Sequence, residues 1–213
     1  MPLVQTKIIP TDTESGISLN NLKKEELGKL FPIIIKDYSD TWPDLYASEA
    51  KLLTDSFSHT EIVRIDHIGS TAIPGLKSKP TIDILLQITE QIDISKLKDI
   101  FTTLGYLIND HPENPAPHLT YVKGYTSQGF KGQAYHVHIR YRGDWDEIRF
   151  RDYLIRHEEI AKEYETLKLE LAEKYPNDRE AYSASKTEWI ERINTLTRKQ
   201  CNGAQRILDT LPV

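Results

Sequence analysis

HIGSTAIPGLKSKPTIDILL, residues 67–86, joins the end of one strand-like run to most of another. The first run, EIVRIDHI from Glu61 to Ile68, alternates apolar and polar residues and is rich in β-branched side chains, which predicts a strand. The second, TIDILLQI from Thr81 to Ile88, sends Ile82, Ile84, Leu86 and Ile88 to one face and Thr81, Asp83, Leu85 and Gln87 to the other. Gly69 lets the backbone turn tightly where the first strand ends and leaves bare N–H groups open to an anion. Ser70 and Thr71 add hydroxyls beside it. Asp83 sits mid-strand among aliphatic neighbours, where an idle carboxylate would have to be desolvated. An anion cradle next to a strand-borne acid is the layout of metal-assisted phosphoryl or nucleotidyl transfer.

Working outward, Ser18 is placed to cap a helix carrying Leu22, Leu27 and Leu30 and ended by Pro32. A second helix is expected from Pro43 to Phe57, with Leu45, Leu52 and Leu53 facing the core and Trp42 as a packing anchor. Ile94 to Leu104 reads as a helix closed by Gly105. His118–Lys123 and Ala134–Arg140 read as strands around the turn GYTSQGFKG. From Asp146 the chain is helical, broken at Pro176 and restarted at Asp178. Strands in the middle and helices at both ends give an α/β (α+β) class: a mixed sheet flanked by helices, with long C-terminal helices. We divide the chain into a flexible arm over residues 1–16, one domain over 17–200 and a tail over 201–213.

The sequence has 213 residues and a formal net charge of −5. That balance argues against strong nucleic-acid binding, which needs a basic stripe. No apolar run approaches the ~20 residues of a membrane span, and the first residues lack a signal-peptide core. The lone Cys201 forms no intrachain bridge. The expectation is a cytoplasmic protein that uses no membrane, with its oligomeric state left open.

Several side chains have two readings. On one strand, His136 and His138 share a face and with Asp83 would hold a divalent metal. Mg, Mn and Zn are the candidates, two imidazoles favouring Zn, Mn or Fe over Mg. Otherwise they lie on a solvated face or donate to a phosphate or sugar. His67 is a further ligand or a general base, with Asp83 the other catalytic candidate. Lys79 reaches a phosphate or is a solvated loop residue. Arg151 faces the site or pairs with a surface acid. Tyr182 and Lys186, four apart on one helix face, would hold a nucleotide, or Tyr182 packs the core. His111 and His118 read as surface residues. The ligand expected is a nucleotide or other small phosphate-bearing molecule.

The His67–Leu86 stretch resembles the signature of the GrpB-like family, HIGSTAVPGL…KPxIDI. YSDTWPDLY, the strand YHVHI from Tyr135 to Ile139, and the C-terminal blocks from Phe150 also resemble that family, so the likeness spans Leu27 to Ile190. It implies a fold similar to nucleotidyltransferases. Such enzymes follow Gly-Ser with two acids one residue apart; here Thr81 and Leu85 flank Asp83, and the later strand offers His136 and His138. The resemblance therefore leaves two functions open: a transferase acting on a nucleotide or phosphate ester, and a non-catalytic ligand-binding or regulatory module derived from one.

Overall fold

The computed structural model describes residues 7–9, 19, 22–110 and 113–209, with side chains for 19, 22–109 and 113–200. Among the described residues six strands form one sheet: β1 (Lys7–Ile9), β2 (Ile62–Ile68), β3 (Thr81–Ile88), β4 (Leu107–Asp110), β5 (Leu119–Thr126) and β6 (Gly129–Tyr141). Their spatial order is β1-β4-β5-β6-β3-β2. Only β3 and β6 run parallel; every other neighbouring pair is antiparallel. A parallel pair needs a long crossover, supplied here by α3 (Ile94–Thr103) together with β4 and β5.

The face of β3 carrying Ile82, Ile84, Leu86 and Ile88 is fully buried. It packs under α2 (Trp42–Asp55) and α3 with Trp42, Leu53, Leu97 and Phe101. Trp42 is thus a packing anchor, as read from the sequence. Ile84 sits in this layer with no exposed surface. Its truncation to alanine is expected to cost ~2–5 kcal/mol, from lost burial and the cavity left behind. Urea denaturation followed by circular dichroism checks this.

The other face of β3 is covered by the C-terminal helices, α4 (Asp146–Arg156), α5 (Glu158–Lys174), α6 (Arg179–Ala184) and α7 (Thr187–Asp209). A second core of Ile73, Phe150, Leu154, Tyr164 and Ile193 fills this layer. Among the described residues no helix is long and apolar enough to cross a membrane.

The structure amends several boundaries. The first helix, α1, spans Lys24–Leu30 and begins after Lys23, whose N–H donates to Glu26 Oε2 at 2.7 Å. Ser18 lies outside the described residues. Leu52 points to solvent at 40% exposure, because Leu53 takes the core side of α2. β5 and β6 run into the glycine-containing turn and leave Ser127 and Gln128 as the connection. The Asp146–Tyr175 run breaks at His157, and the last helix breaks at Ser185 and Lys186; Asp178 does cap, accepting from Ala181 N at 3.0 Å. β1 falls within the segment read as an arm, and α7 continues through Cys201.

Candidate functional site

β3 lies between β2 and β6, and the register decides which side chains meet. Asp83 is directly opposite His136, and Leu85 opposite His138. Parallel partners share a face, so both imidazoles stand beside the carboxylate. Asp83 Oδ1 lies 3.3 Å from His136 Nδ1 and 3.4 Å from His138 Nε2. One ligand atom from each residue lies within 4.8 Å of the others, a spacing that suits a common metal ion. All three are partly buried, so the reading of a fully solvated histidine face does not describe them.

Burial alone would raise the Asp83 carboxyl, but hydrogen bonds and charge from His136 and His138 outweigh it and hold the acid far below its usual range. Burial lowers His136 against the pull of Asp83. The set at neutral pH is therefore a carboxylate beside a neutral His136 imidazole, a protonation state ready for ligation.

Gly69 bears directly on this acid. Its φ is +70°, and a Cβ built there would lie 2.6 Å from Asp83 Oδ2. The short Ser70–Ala72 turn follows. Gly69, Ser70, Asp83 and His138 line one end of a cavity of about 690 Å³ that continues toward α4 and α7.

Tyr125 was not singled out from the sequence, yet its hydroxyl lies 2.7 Å from His136 Nε2. An unbroken β5 would put it on the face of Tyr121 and Lys123, away from the histidines. Gly124, at φ +89°, marks an irregularity between Lys123 and Tyr125 that turns Tyr125 over. Strand bulges re-aim side chains in this way, and an isolated glycine inside a strand pattern is the signal that marks one. Arg179 then donates to Tyr125 Oη at 3.2 Å.

Beyond His136 the side chains are basic. Lys79 Nζ lies 5.2 Å from the Tyr182 ring centre, and Lys186 Nζ 4.4 Å from it. Tyr182 itself is only 1% exposed, so it is a core residue that also supports two ammonium groups. Burial draws Lys186 down to about 8, with Arg179 adding and Asp83 opposing, and Lys79 falls well below the lysine range from burial and from Arg179 and Lys186. Lys168, 2% exposed and bonded to Ser78 Oγ at 3.3 Å, is lowered by burial to about 7. Among the described residues no carboxylate forms an ion pair with Lys79, Lys168, Lys186 or Arg179.

Three expected site residues lie apart from this group. His67 is opposite Ile84 in β2, so it faces the α2 layer and not Asp83's side. There it stacks on Tyr46 at 4.7 Å and pairs with Thr71 Oγ1 at 3.0 Å, and burial lowers it to about 4. The expectation of His67 as a further ligand or general base beside Asp83 is therefore corrected. Thr71 is 1% exposed and donates to the Thr81 carbonyl. Arg151 bonds the His67 carbonyl at 2.8 Å and pairs with buried Asp66 and half-exposed Asp152, so acids hold it, only one of them at the surface. His118 is exposed, and His111 lies outside the described residues.

Comparison with known proteins finds relatives across most of the chain. Residues 32–195 match the family described as GrpB protein. The chain is 38% identical to UPF0157 protein PA4798 of Pseudomonas aeruginosa over 71% of its own length and 62% of that protein's, so it spans less than two thirds of that relative. It is 33% identical to the Glutamate-rich protein GrpB of Alkalihalophilus pseudofirmus over 76% of this chain and 93% of the other. The crystal structure of conserved protein GrpB from Enterococcus faecalis superposes with a TM-score of 0.67 at 27% identity, covering 78% of this chain and 98% of that one.

Proposed function

The chain belongs to the GrpB family, and from that premise we propose that it binds a nucleotide or other phosphate ester beside one divalent metal and transfers its nucleotidyl or phosphoryl group. The observation that carries this reading is the convergence of Asp83, His136 and His138 next to buried basic groups that, among the described residues, form no ion pair with a carboxylate. Buried charge without a partner is costly, and a phosphate oxygen is the group that relieves several such cations together. Asp83 Oδ1, His136 Nδ1 and His138 Nε2 would hold the ion, two imidazoles and one carboxylate suiting Zn or Mn better than Mg. Such an ion supplies charge neutralisation at a phosphoryl oxygen. Lys79, Lys186 and Arg179 bind and orient the remaining phosphate oxygens. Tyr125 fixes the His136 ring through Nε2, leaving Nδ1 turned to Asp83, as outer hydrogen bonds to metal-binding histidines do.

A second reading rests on Thr81 and Leu85, which stand where a two-metal transferase would carry another acid. It makes the protein a binding or regulatory module that keeps the ligand and has lost the reaction. Titration calorimetry with Mn²⁺ or Zn²⁺, then with ATP, decides between them when paired with product analysis. Metal binding followed by ATP binding and turnover is expected. Binding without turnover leaves the module, and no heat from metal or ATP discards both.

The lysines add a proton signature. Lys168 and Lys186 sit near 7 and 8, below the free lysine value of 10.5. The unfolded chain therefore binds more protons between those values and about 10.5, and their contribution makes stability rise with pH across that window. A bound phosphate reverses the preference by favouring the ammonium form. ATP binding at pH 8.5 is expected to take up protons, read as a dependence of the calorimetric heat on the ionisation enthalpy of the buffer.

A further inference from the structure

One large apolar side chain open to solvent, Phe130 at 42% exposure, stands against the basic cluster rather than away from it. A break in strand pairing puts it there. Tyr125 is opposite Phe130 and Lys123 opposite Tyr135, so two steps along β5 correspond to five along β6. The extra residues leave the ladder, as in a strand bulge, and Phe130 ends one ring away from His136. The Tyr125 ring centre lies 5.7 Å from that of His136 and 5.2 Å from that of Phe130.

Arg179 spans the same gap. Its Nη1 donates to the Phe31 carbonyl and its Nη2 to Tyr125 Oη, each at 3.2 Å, and its guanidinium carbon lies 5.9 Å from the Phe130 ring centre. These bonds orient the guanidinium and leave further N–H groups for a phosphate. The Phe130 ring is held without being enclosed. Phe31 and Tyr125 meet it at interplanar angles of 71° and 56°, so neither lies flat on it. Phe130, Arg179, Lys79 and Lys186 all keep accessible surface. A bare phosphate has no use for an exposed aromatic ring beside its cations, whereas a nucleotide carries a flat base one sugar away from its first phosphate.

We infer that Phe130 is the platform on which the base of the bound nucleotide stacks. Arg179 then meets the phosphate nearest the sugar, with Lys79, Lys186 and the metal ligands beyond it. This rests on the phosphate-binding reading proposed above and narrows it: the ligand is a nucleoside polyphosphate and not a base-free phosphate ester. Every base offers a π-face, so the platform selects for the presence of a base and not for its identity.

ATP and inorganic tripolyphosphate share the triphosphate and differ in the nucleoside, which makes them the probes. In calorimetry of the full chain with saturating Mn²⁺, the wild type is expected to bind both. Phe130→Ala should weaken ATP by roughly 5- to 150-fold, the range a stacked base contributes. It should leave tripolyphosphate unchanged, which also shows that the variant is folded. Phe130→Trp should retain ATP affinity, and ATP should change its fluorescence beyond any change in the wild type, while tripolyphosphate should not. A Phe130→Ala variant that keeps its ATP affinity, or loses both ligands equally, overturns the platform while wild-type binding of tripolyphosphate preserves the phosphate site. If the wild type binds neither ligand, the phosphate site itself falls, and the platform with it.

Discussion

Asp83→Ala is expected to weaken Zn²⁺ or Mn²⁺ binding by well over ~100-fold, because loss of a mere outer-shell partner already costs 10- to 100-fold. The carboxylate is the only anionic member of the Asp83, His136 and His138 set, and its removal leaves two neutral ligands with nothing to offset the ion's charge. Tyr125→Phe should fall within the smaller range, since it removes only the hydroxyl that holds His136 Nε2. The two variants thus separate ligation from orientation. Equilibrium dialysis with metal analysis gives both constants, and equal affinity for the wild type and Asp83→Ala would remove the metal centre.

Gly69→Ala is expected to destabilise the fold and damage the site together. The residue sits at φ +70° and ψ −171°, a region essentially reserved for glycine, where a side chain costs ~1–3 kcal/mol. The added methyl would also meet Asp83 Oδ2 at 2.6 Å, backed by Asp83 Cβ at 3.0 Å, so the acid must move away from the histidines. For a chain of this size that strain corresponds to a fall in melting temperature of roughly 2–12 °C. Metal affinity should fall further than stability alone predicts. An unchanged melting curve and full metal affinity in Gly69→Ala would contradict this account of the turn.

The sequence made the local elements legible where one period dominated. β2, β3 and α2 appear near their expected bounds because β-branched alternation or a helical stripe ran unbroken through them. β4, with only the residues LIND, and β1, with KII, are too short to carry a pattern. They become strands because β5 and then β4 offer an edge to pair with. Asp83, His136 and His138 could be read as one group since equal alternation on two strands allowed it. The face of His67 could not, because it depends on the antiparallel register with β3, which places it opposite Ile84.

Arg179 and Lys168 show a different limit. Each lies in a charged helical run whose simplest reading is a solvated surface, and only the packing of α5 and α6 over the sheet turns them inward. Tyr125 shows a third. The glycine that reverses its direction was visible in the sequence, but its effect required knowing that the strand continued through the turn.

One feature of the sheet links assembly to folding. Asp83 and His138 lie 55 positions apart in the chain, yet neighbour each other through the one parallel strand pair among the described residues. A slip of one residue along that pair would exchange His136 and His138 for Tyr135 and Val137. A captured ion would therefore act as a proofreader of strand alignment: it rewards only the correctly closed crossover and gives nothing to a chain still searching for it.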